Sequence, residues 1–213
     1  MNVEKIIEQL ISDLRTIKDP NSIHWNERYL HHKFSYLVQK ESGFEINVTD
    51  APSKFHPEWA TSIKDKRDSG FYARNDNGYE PRDKRKDSKD DSKGGNPGFI
   101  DFAIGDFDKP DYAVEFKMAK NMDAKGFAFD YMKLLDNRNE FKEVISLSVV
   151  LGRKTKLEKK DLDKNLKDAT NKLGEKEYLS KDRKVLFYVI QINEGDEPIE
   201  WKCTDVETKF VQI

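Results

Sequence analysis

The sequence is short of cysteine, of long apolar runs and of net charge. Its one cysteine, Cys203, excludes an internal disulfide and a cysteine-rich zinc site. No apolar stretch approaches the roughly 20 residues that span a bilayer, and the N-terminus has no secretory pattern. We therefore expect no membrane contact and a cytoplasmic location. With 38 basic and 40 acidic residues the formal net charge is −2, so any surface that binds nucleic acid has to come from local clustering of basic residues.

One segment almost lacks apolar side chains. The composition changes sharply over residues 64–97, and residues 83–95 contain no apolar side chain at all. A tract of this composition buries too little surface to offset the entropy lost on ordering. We therefore predict a single domain spanning 1–213, with a flexible charged insertion over 64–97. Its basic residues are candidates for contact with phosphates; they are Arg82, Lys84, Arg85 and Lys86. The alternative is a solvated loop of nearly balanced charge.

Two alternating segments predict a β-hairpin. Residues 98–104 and 112–118 carry apolar side chains at every second position, and the residues between them are rich in turn formers. Folding the hairpin symmetrically about Asp108 fixes its register. The expected cross-strand pairs on the apolar face are Ile100 with Phe116, Phe102 with Val114, and Ile104 with Tyr112.

The opposite face of this hairpin carries charge. The same register places Asp101 opposite Glu115, with β-carbons roughly 5 Å apart. Two carboxylates this close repel each other unless a cation lies between them, and Mg²⁺ prefers such hard oxygen ligands together with substrate phosphate oxygens. Lys117 lies on the same face and is placed to orient or help deprotonate an attacking water. The alternative is a solvated outer face of a hairpin.

These residues resemble the PD-(D/E)xK nuclease superfamily, which has the restriction-endonuclease-like fold. The matching motif is Asp101 followed by Glu115-Phe116-Lys117 on the next strand, although Ile100 stands where the family name has proline. The resemblance implies a Mg²⁺ or Mn²⁺ ion held by Asp101, Glu115 and the Phe116 carbonyl, with Lys117 as the catalytic lysine. It implies nucleic acid, expected to be DNA, as the partner.

A third motif supports the resemblance from a helical segment. Asp130 and Lys133 stand in the pattern D-x-x-K-L that many members of the superfamily show, and we expect them to support the site. On their own, two such residues one helical turn apart also fit a surface ion pair.

An N-terminal helix offers a further acidic residue. A first helix over 3–17 precedes a second over 23–40, and Glu27 lies on the apolar stripe of the second. A carboxylate on a buried stripe is costly unless it is paired or metal-bound. The resemblance makes Glu27 a candidate catalytic residue, and a Glu that reaches solvent or an arginine is the equal alternative. We expect His31 to be a partly exposed structural histidine.

The rest of the chain predicts alternating strands and helices. Apolar runs over 144–151 and 185–192 are typical of buried central strands, and a lysine-rich helix over 157–173 lies between them. The fold class is therefore α/β, with a three-layer restriction-endonuclease-like core in which helices flank a mixed sheet, and two N-terminal helices. Lys160 and Lys164 lie on an exposed helical stripe that suits a phosphate backbone, or on an ordinary solvated face.

The function expected from the sequence is Mg²⁺-dependent hydrolysis of phosphodiester bonds. The alternative is a catalytically inactive nucleic-acid-binding or assembly module that keeps the same fold. A third interpretation is an interaction protein whose charged hairpin is only surface. The sequence leaves the oligomeric state open, a homodimer included.

Overall fold

The computed structural model describes residues 2–22, 24–42, 55–60, 72–75, 78–81, 98–106, 109–120, 124–139, 141–152, 156–207 and 209–213. Among these residues the helices are α1 (Val3–Leu14), α2 (Glu27–Ser42), α3 (Ala124–Leu135) and α4 (Lys159–Gly174). The strands are β1 (Phe55–Ala60), β2 (Tyr72–Asn75), β3 (Gly78–Pro81), β4 (Phe99–Asp106), β5 (Lys109–Ala119), β6 (Glu143–Leu151), β7 (Lys184–Ile192), β8 (Ile199–Cys203) and β9 (Val211–Gln212). No described helix is long and apolar enough to cross a membrane.

Seven strands form one mixed sheet in the order β1-β4-β5-β6-β7-β8-β9. Strands β5, β6 and β7 are parallel to one another, and the remaining neighbours are antiparallel. Helices α3 and α4 make the two crossovers that parallel pairing requires. The α/β class and the mixed sheet expected from the sequence are confirmed.

Each face of the sheet is covered by a pair of helices. The apolar residues of α1 and α2 pack on one face, and those of α3 and α4 pack on the other. Strands β6 and β7 are buried along nearly their whole length, as their continuous apolar runs predict. Six buried apolar residues recur at helical spacing along α1, and Asn2 caps its first turn by accepting the Lys5 N–H.

Helix α2 begins four residues later than the sequence predicts. The side chain of Asn26 accepts the Tyr29 N–H at 3.2 Å, which is the interaction of a residue that caps a helix N-terminus. Glu27 is therefore the first helical residue rather than part of the second turn. This places its carboxylate at the end of α2 that reaches the sheet.

Part of the segment predicted to be a flexible insertion forms a second, two-stranded sheet. Strands β2 and β3 pair antiparallel, and β3 contacts α3 and α4. The charged tract over 83–95 lies outside the described residues, so its flexibility stays a prediction.

Candidate metal centre

The middle of the β4–β5 hairpin has the predicted register, but the regular pairing does not include the predicted pair of Ile100 with Phe116. Phe102 pairs with Val114 and Ile104 with Tyr112. An irregularity follows Ile104, so the turn end of the hairpin departs from the simple symmetry expected about Asp108. At the other end the regular pairing stops at Phe102 and Val114. The next residue on each strand is one of the two predicted metal ligands.

Asp101 and Glu115 each bind the backbone of the opposite strand. Asp101 Oδ2 accepts the Phe116 N–H at 2.7 Å, and Glu115 Oε2 accepts the Asp101 N–H at 3.2 Å. In a strand, the N–H and C=O of one residue point to the same side, so the Phe116 carbonyl also faces β4. Both predicted carboxylates and the predicted carbonyl thus lie at the same end of the hairpin.

Strand β4 changes orientation at this point. The sequence predicts Ile100 on the same face as Phe102 and Ile104, and this expectation is wrong. Phe102 and Ile104 pack toward α1 and α2, whereas Ile100 packs in the core beneath α3 and α4. Simple alternation fails because the ladder with β5 is open here and side-chain carboxylates replace the backbone partners.

Lys133 of α3 fills the inner side of the site. Its Nζ lies 2.5 Å from Glu115 Oε1, 3.1 Å from Asp130 Oδ1 and 2.7 Å from the Phe99 carbonyl oxygen. Three acceptors match the three protons of an ammonium. Lys133, Glu115 and Asp130 are all buried. Asp130 and Lys133 therefore form a buried ion pair, and the alternative of a surface ion pair is wrong.

Burial and charge act in opposite directions on this buried group. Burial raises the pKa of Glu115 well above its ordinary value, while the Lys133 ammonium opposes that rise. Burial acts to lower the pKa of Lys133, but the carboxylates of Glu115 and Asp130 outweigh it and raise the pKa. Lys133 is therefore a permanent internal cation beside the predicted metal ligands.

Lys117 of β5 and Glu27 of α2 meet at the same end of the hairpin. Lys117 Nζ lies 3.7 Å from Glu27 Oε2, and both side chains are about one-third exposed. Burial raises the pKa of Glu27, with the charge of Lys117 acting against it. Burial acts to lower the pKa of Lys117, but the charges of Asp130, Glu27 and Glu115 raise it above its ordinary value. At neutral pH Lys117 is therefore a cation, suited to orienting a water or a phosphate rather than to removing a proton.

Two residues that the sequence reasoning did not assign to the site also converge on Asp101. One ligand atom each from His31, Glu58 and Asp101 lie within 4.8 Å of one another. His31 Nε2 stands 3.2 Å from Asp101 Oδ2. The signal for His31 was its position four residues after Glu27, because residues one turn apart share a helix face. Glu58 had no local signal, since it reaches the site through long-range pairing of β1 with β4.

Acidic side chains outnumber ammonium groups at the site. Five carboxyl groups and two ammonium groups lie at one end of the sheet, between the start of α2 and the face of α3. The carboxylates are Glu27, Glu58, Asp101, Glu115 and Asp130, and the ammonium groups are Lys117 and Lys133. Close carboxylates in excess favour a bound cation.

The structure describes two of the predicted nucleic-acid contacts, Lys160 and Lys164. Arg82, Lys84, Arg85 and Lys86 are outside the described residues. Lys160 and Lys164 lie on α4, where they line a groove of about 460 Å³ formed with the segment after β8. Its other lining residues are Asp163, Leu166, Lys167, Thr170, Val206, Glu207 and Lys209. Lys160 is also paired with Glu158 at 2.5 Å.

Comparison with known proteins adds no relative. No family model, curated protein or solved structure matches the chain.

Proposed function

We propose that this protein is a Mg²⁺-dependent nuclease with a restriction-endonuclease-like core, similar to the PD-(D/E)xK superfamily, that hydrolyses phosphodiester bonds in DNA. The observation that carries the proposal is the open end of the β4–β5 hairpin. There the side chains of Asp101 and Glu115 each accept a backbone N–H of the other strand. Lys117 and Glu27 stand beside them.

The donor set suits a hard divalent cation. Asp101, Glu115 and the Phe116 carbonyl would hold it, since carboxylate and carbonyl oxygens are the ligands that Mg²⁺ and Mn²⁺ prefer. The ion supplies polarisation of a phosphoryl oxygen and acidification of a bound water. The number of carboxyl groups beside only two ammonium groups supports this assignment, because carboxylate oxygens close together favour a bound cation.

The protein's own side chains have separate tasks in this proposal. Lys117 Nζ, held cationic by its acidic neighbours, orients the attacking water and offsets charge that builds on the phosphate. Glu27 positions Lys117 through their 3.7 Å contact. Lys133, on the buried side of the site, fixes the orientation of Glu115 by donating a hydrogen bond to its Oε1.

One observation favours the alternative of an inactive binding or assembly module. Both oxygens of Glu115 already have partners within the protein, Lys133 on one and the Asp101 N–H on the other. A carboxylate satisfied in this way does not need a metal ion. The two functions differ in whether the open end of the hairpin hydrolyses DNA.

Cleavage of a labelled DNA duplex in Mg²⁺ separates these functions. Asp101→Asn removes one charged ligand without adding bulk, so cleavage should fall by about 10²–10³ or more. Asp111→Asn is the matched control, because Asp111 belongs to the same hairpin but pairs with Lys142 at the surface. It should cleave like the wild type.

Calorimetry with Mg²⁺ on the same proteins gives a second measurement. Lys117→Met should lose cleavage to a similar extent yet keep Mg²⁺ binding, because an ammonium is not a ligand. Wild-type protein that binds DNA but never cleaves it would establish the inactive module. Full cleavage by Asp101→Asn would end the assignment of this site.

A further inference from the structure

We propose that His31, Glu58 and Asp101 form a binding site for a divalent first-row transition metal, with one imidazole nitrogen and two carboxylate oxygens as ligands. The proposed nuclease function assigns no role to His31 or Glu58. This inference goes beyond it and stands without it, since metal binding by these three side chains does not require catalysis. Asp101 is the residue that the two sites share.

The spacing of the three groups fits a common ion. Their ligand atoms lie within 4.8 Å of one another, and His31 Nε2 is 3.2 Å from Asp101 Oδ2. Two ligands bound to one ion at roughly 2.0–2.1 Å stand about 3.3 Å apart at a tetrahedral angle. His31 and Asp101 therefore already stand at ligand spacing, and the exposed carboxylate of Glu58 has only a short distance to move.

Within the described residues, the nitrogen that would bind the ion makes no aligned hydrogen bond. His31 Nε2 is buried, and its close neighbour is Asp101 Oδ2, which stands 3.2 Å away at ion-pair distance. Buried polar atoms that lack an aligned hydrogen bond are rare in native proteins. A metal ion at this point would use the nitrogen lone pair.

Packing holds the imidazole ring in place. The ring of His31 lies 5.3 Å from that of Phe102 and 5.8 Å from that of Phe116, measured between centroids. Both phenylalanines belong to the apolar face beneath α2. The ring is therefore oriented before any ligand binds, which reduces the entropy lost on binding.

The backbone at Glu58 is strained. Its φ is +53°, in the left-handed region that costs a residue with a side chain about 1–2 kcal/mol. Glu58 stands between the pairs Pro57–Phe102 and Trp59–Ile100 of the β1–β4 ladder, which places it across from Asp101. Strain of this kind concentrates at functional sites, and here it coincides with a carboxylate presented to a histidine and an aspartate.

The imidazole selects the kind of metal. Mg²⁺ and Ca²⁺ take oxygen ligands, whereas nitrogen ligands suit Zn²⁺, Co²⁺ and their neighbours in the first transition row. A mixed set of one histidine and two carboxylates therefore favours a transition metal over Mg²⁺. The competing arrangement is a protonated His31 that forms an ion pair with Asp101 and binds no metal.

Titration of the metal-free, full-length protein with Co²⁺ tests the proposal. Visible absorption reports the ligand field of bound Co²⁺, and calorimetry with Zn²⁺ gives the affinity. We expect His31→Gln to weaken binding at least about tenfold and to change the Co²⁺ spectrum. His32→Gln is the matched control, an exposed neighbour on the same helix, and it should behave like the wild type.

Glu58→Gln is the second variant, and the exposed position of Glu58 makes it safe for folding. It should also weaken Co²⁺ binding, while circular dichroism and the metal-free thermal midpoint stay as in the wild type. Wild-type protein that binds no Co²⁺, or binding unchanged in both His31→Gln and Glu58→Gln, would overturn the proposal. Mg²⁺-dependent cleavage by the wild type is scored separately, so failure of the transition-metal site and failure of the nuclease function give different results.

Discussion

At the scale of single residues, Lys133 shapes the candidate site from the inside. It is a buried ammonium whose three protons reach Glu115, Asp130 and the Phe99 carbonyl. A buried charge needs partners because water no longer solvates it, and here the partners belong to two strands and one helix. Lys133 thus couples the position of α3 to the position of Glu115.

Removing this ammonium should be costly. Lys133→Met keeps the aliphatic length but leaves two buried carboxylates uncompensated, so we expect the free energy of unfolding to fall by about 3–5 kcal/mol. Urea denaturation measures the change. Lys142→Met is the control, since it breaks a single lysine–carboxylate pair with Asp111 at the surface and should change stability far less. Equal effects of the two variants would show that Lys133 is not the buried counter-charge described above.

The residues of the site differ in how far the sequence could predict them. The sequence singles out Asp101 and Glu115 through the alternation of two neighbouring strands, which is a local property, although the alternation of β4 and its pairing with β5 both break at these residues. The burial of Lys133 does not follow from the sequence, because its i,i+3 spacing from Asp130 says nothing about which face of α3 packs on the sheet. Glu58 is the hardest to predict, since it depends on pairing with a strand about 40 residues away and on a left-handed backbone.

At the scale of elements, the strands were easier to predict than the helix ends. Continuous apolar runs identify β6 and β7 within one residue of their observed limits. The sequence predicts too early a start for α2, because Asn26, rather than the preceding Asp-Pro-Asn-Ser turn, accepts a free N–H of the first turn. The error matters, because α2 presents Glu27 and His31 to the site.

Helices α1 and α2 are joined by an ion pair that gives a pH-dependent prediction. Lys33 Nζ lies 2.8 Å from Asp13 Oδ2, and this contact lowers the pKa of Asp13 below its ordinary value. A lowered pKa means that the carboxylate stabilises the fold above its unfolded-state pKa of about 3.9, and that this contribution is lost as pH falls through the native value.

Asp13→Asn should therefore lower stability by about 0.2–1 kcal/mol at pH 7, the range of solvent-screened pairs. The difference from the wild type should shrink toward zero as the pH falls from about 4 to 2. Urea denaturation at several pH values measures it. Asp168→Asn, at an exposed position on α4, serves as the control. A difference that stayed constant down to pH 2 would show that the ion pair is not its source.

At the scale of the whole molecule, the hydrophobic cores on the two faces of the sheet lie next to surfaces of different charge. The core beneath α1 and α2 supports the acidic end of the β4–β5 hairpin, and α4 carries lysines on the outside of the other core. A chain of net charge −2 thus separates its acidic cluster from a basic groove. If DNA binds, its phosphates are attracted to the groove, and a phosphate approaches the acidic cluster favourably only where a bound cation or Lys117 offsets the negative charge.

Charge reversal in the groove tests whether the groove contacts DNA. Lys160→Glu with Lys164→Glu should weaken DNA binding and lower the log–log salt slope by about one for each phosphate that the groove no longer neutralises. Binding measured at several salt concentrations gives the slope. Lys176→Glu with Lys181→Glu makes the same change of charge at exposed positions after α4 and should have a smaller effect. Equal slopes for the two double variants would leave α4 as scaffold.

The site's residues come from α2, β1, β4, β5 and α3, so about half of the chain separates Glu27 from Lys133. A site built from residues so far apart in sequence cannot form early in folding, because bringing distant segments together costs chain entropy that only later contacts offset. Local hairpins and helices form without it. The acidic cluster is therefore assembled only when α2 and these strands have packed together, and a shortened chain that keeps the hairpin but loses α2 would retain Asp101, Glu115 and Lys117 without Glu27 and His31.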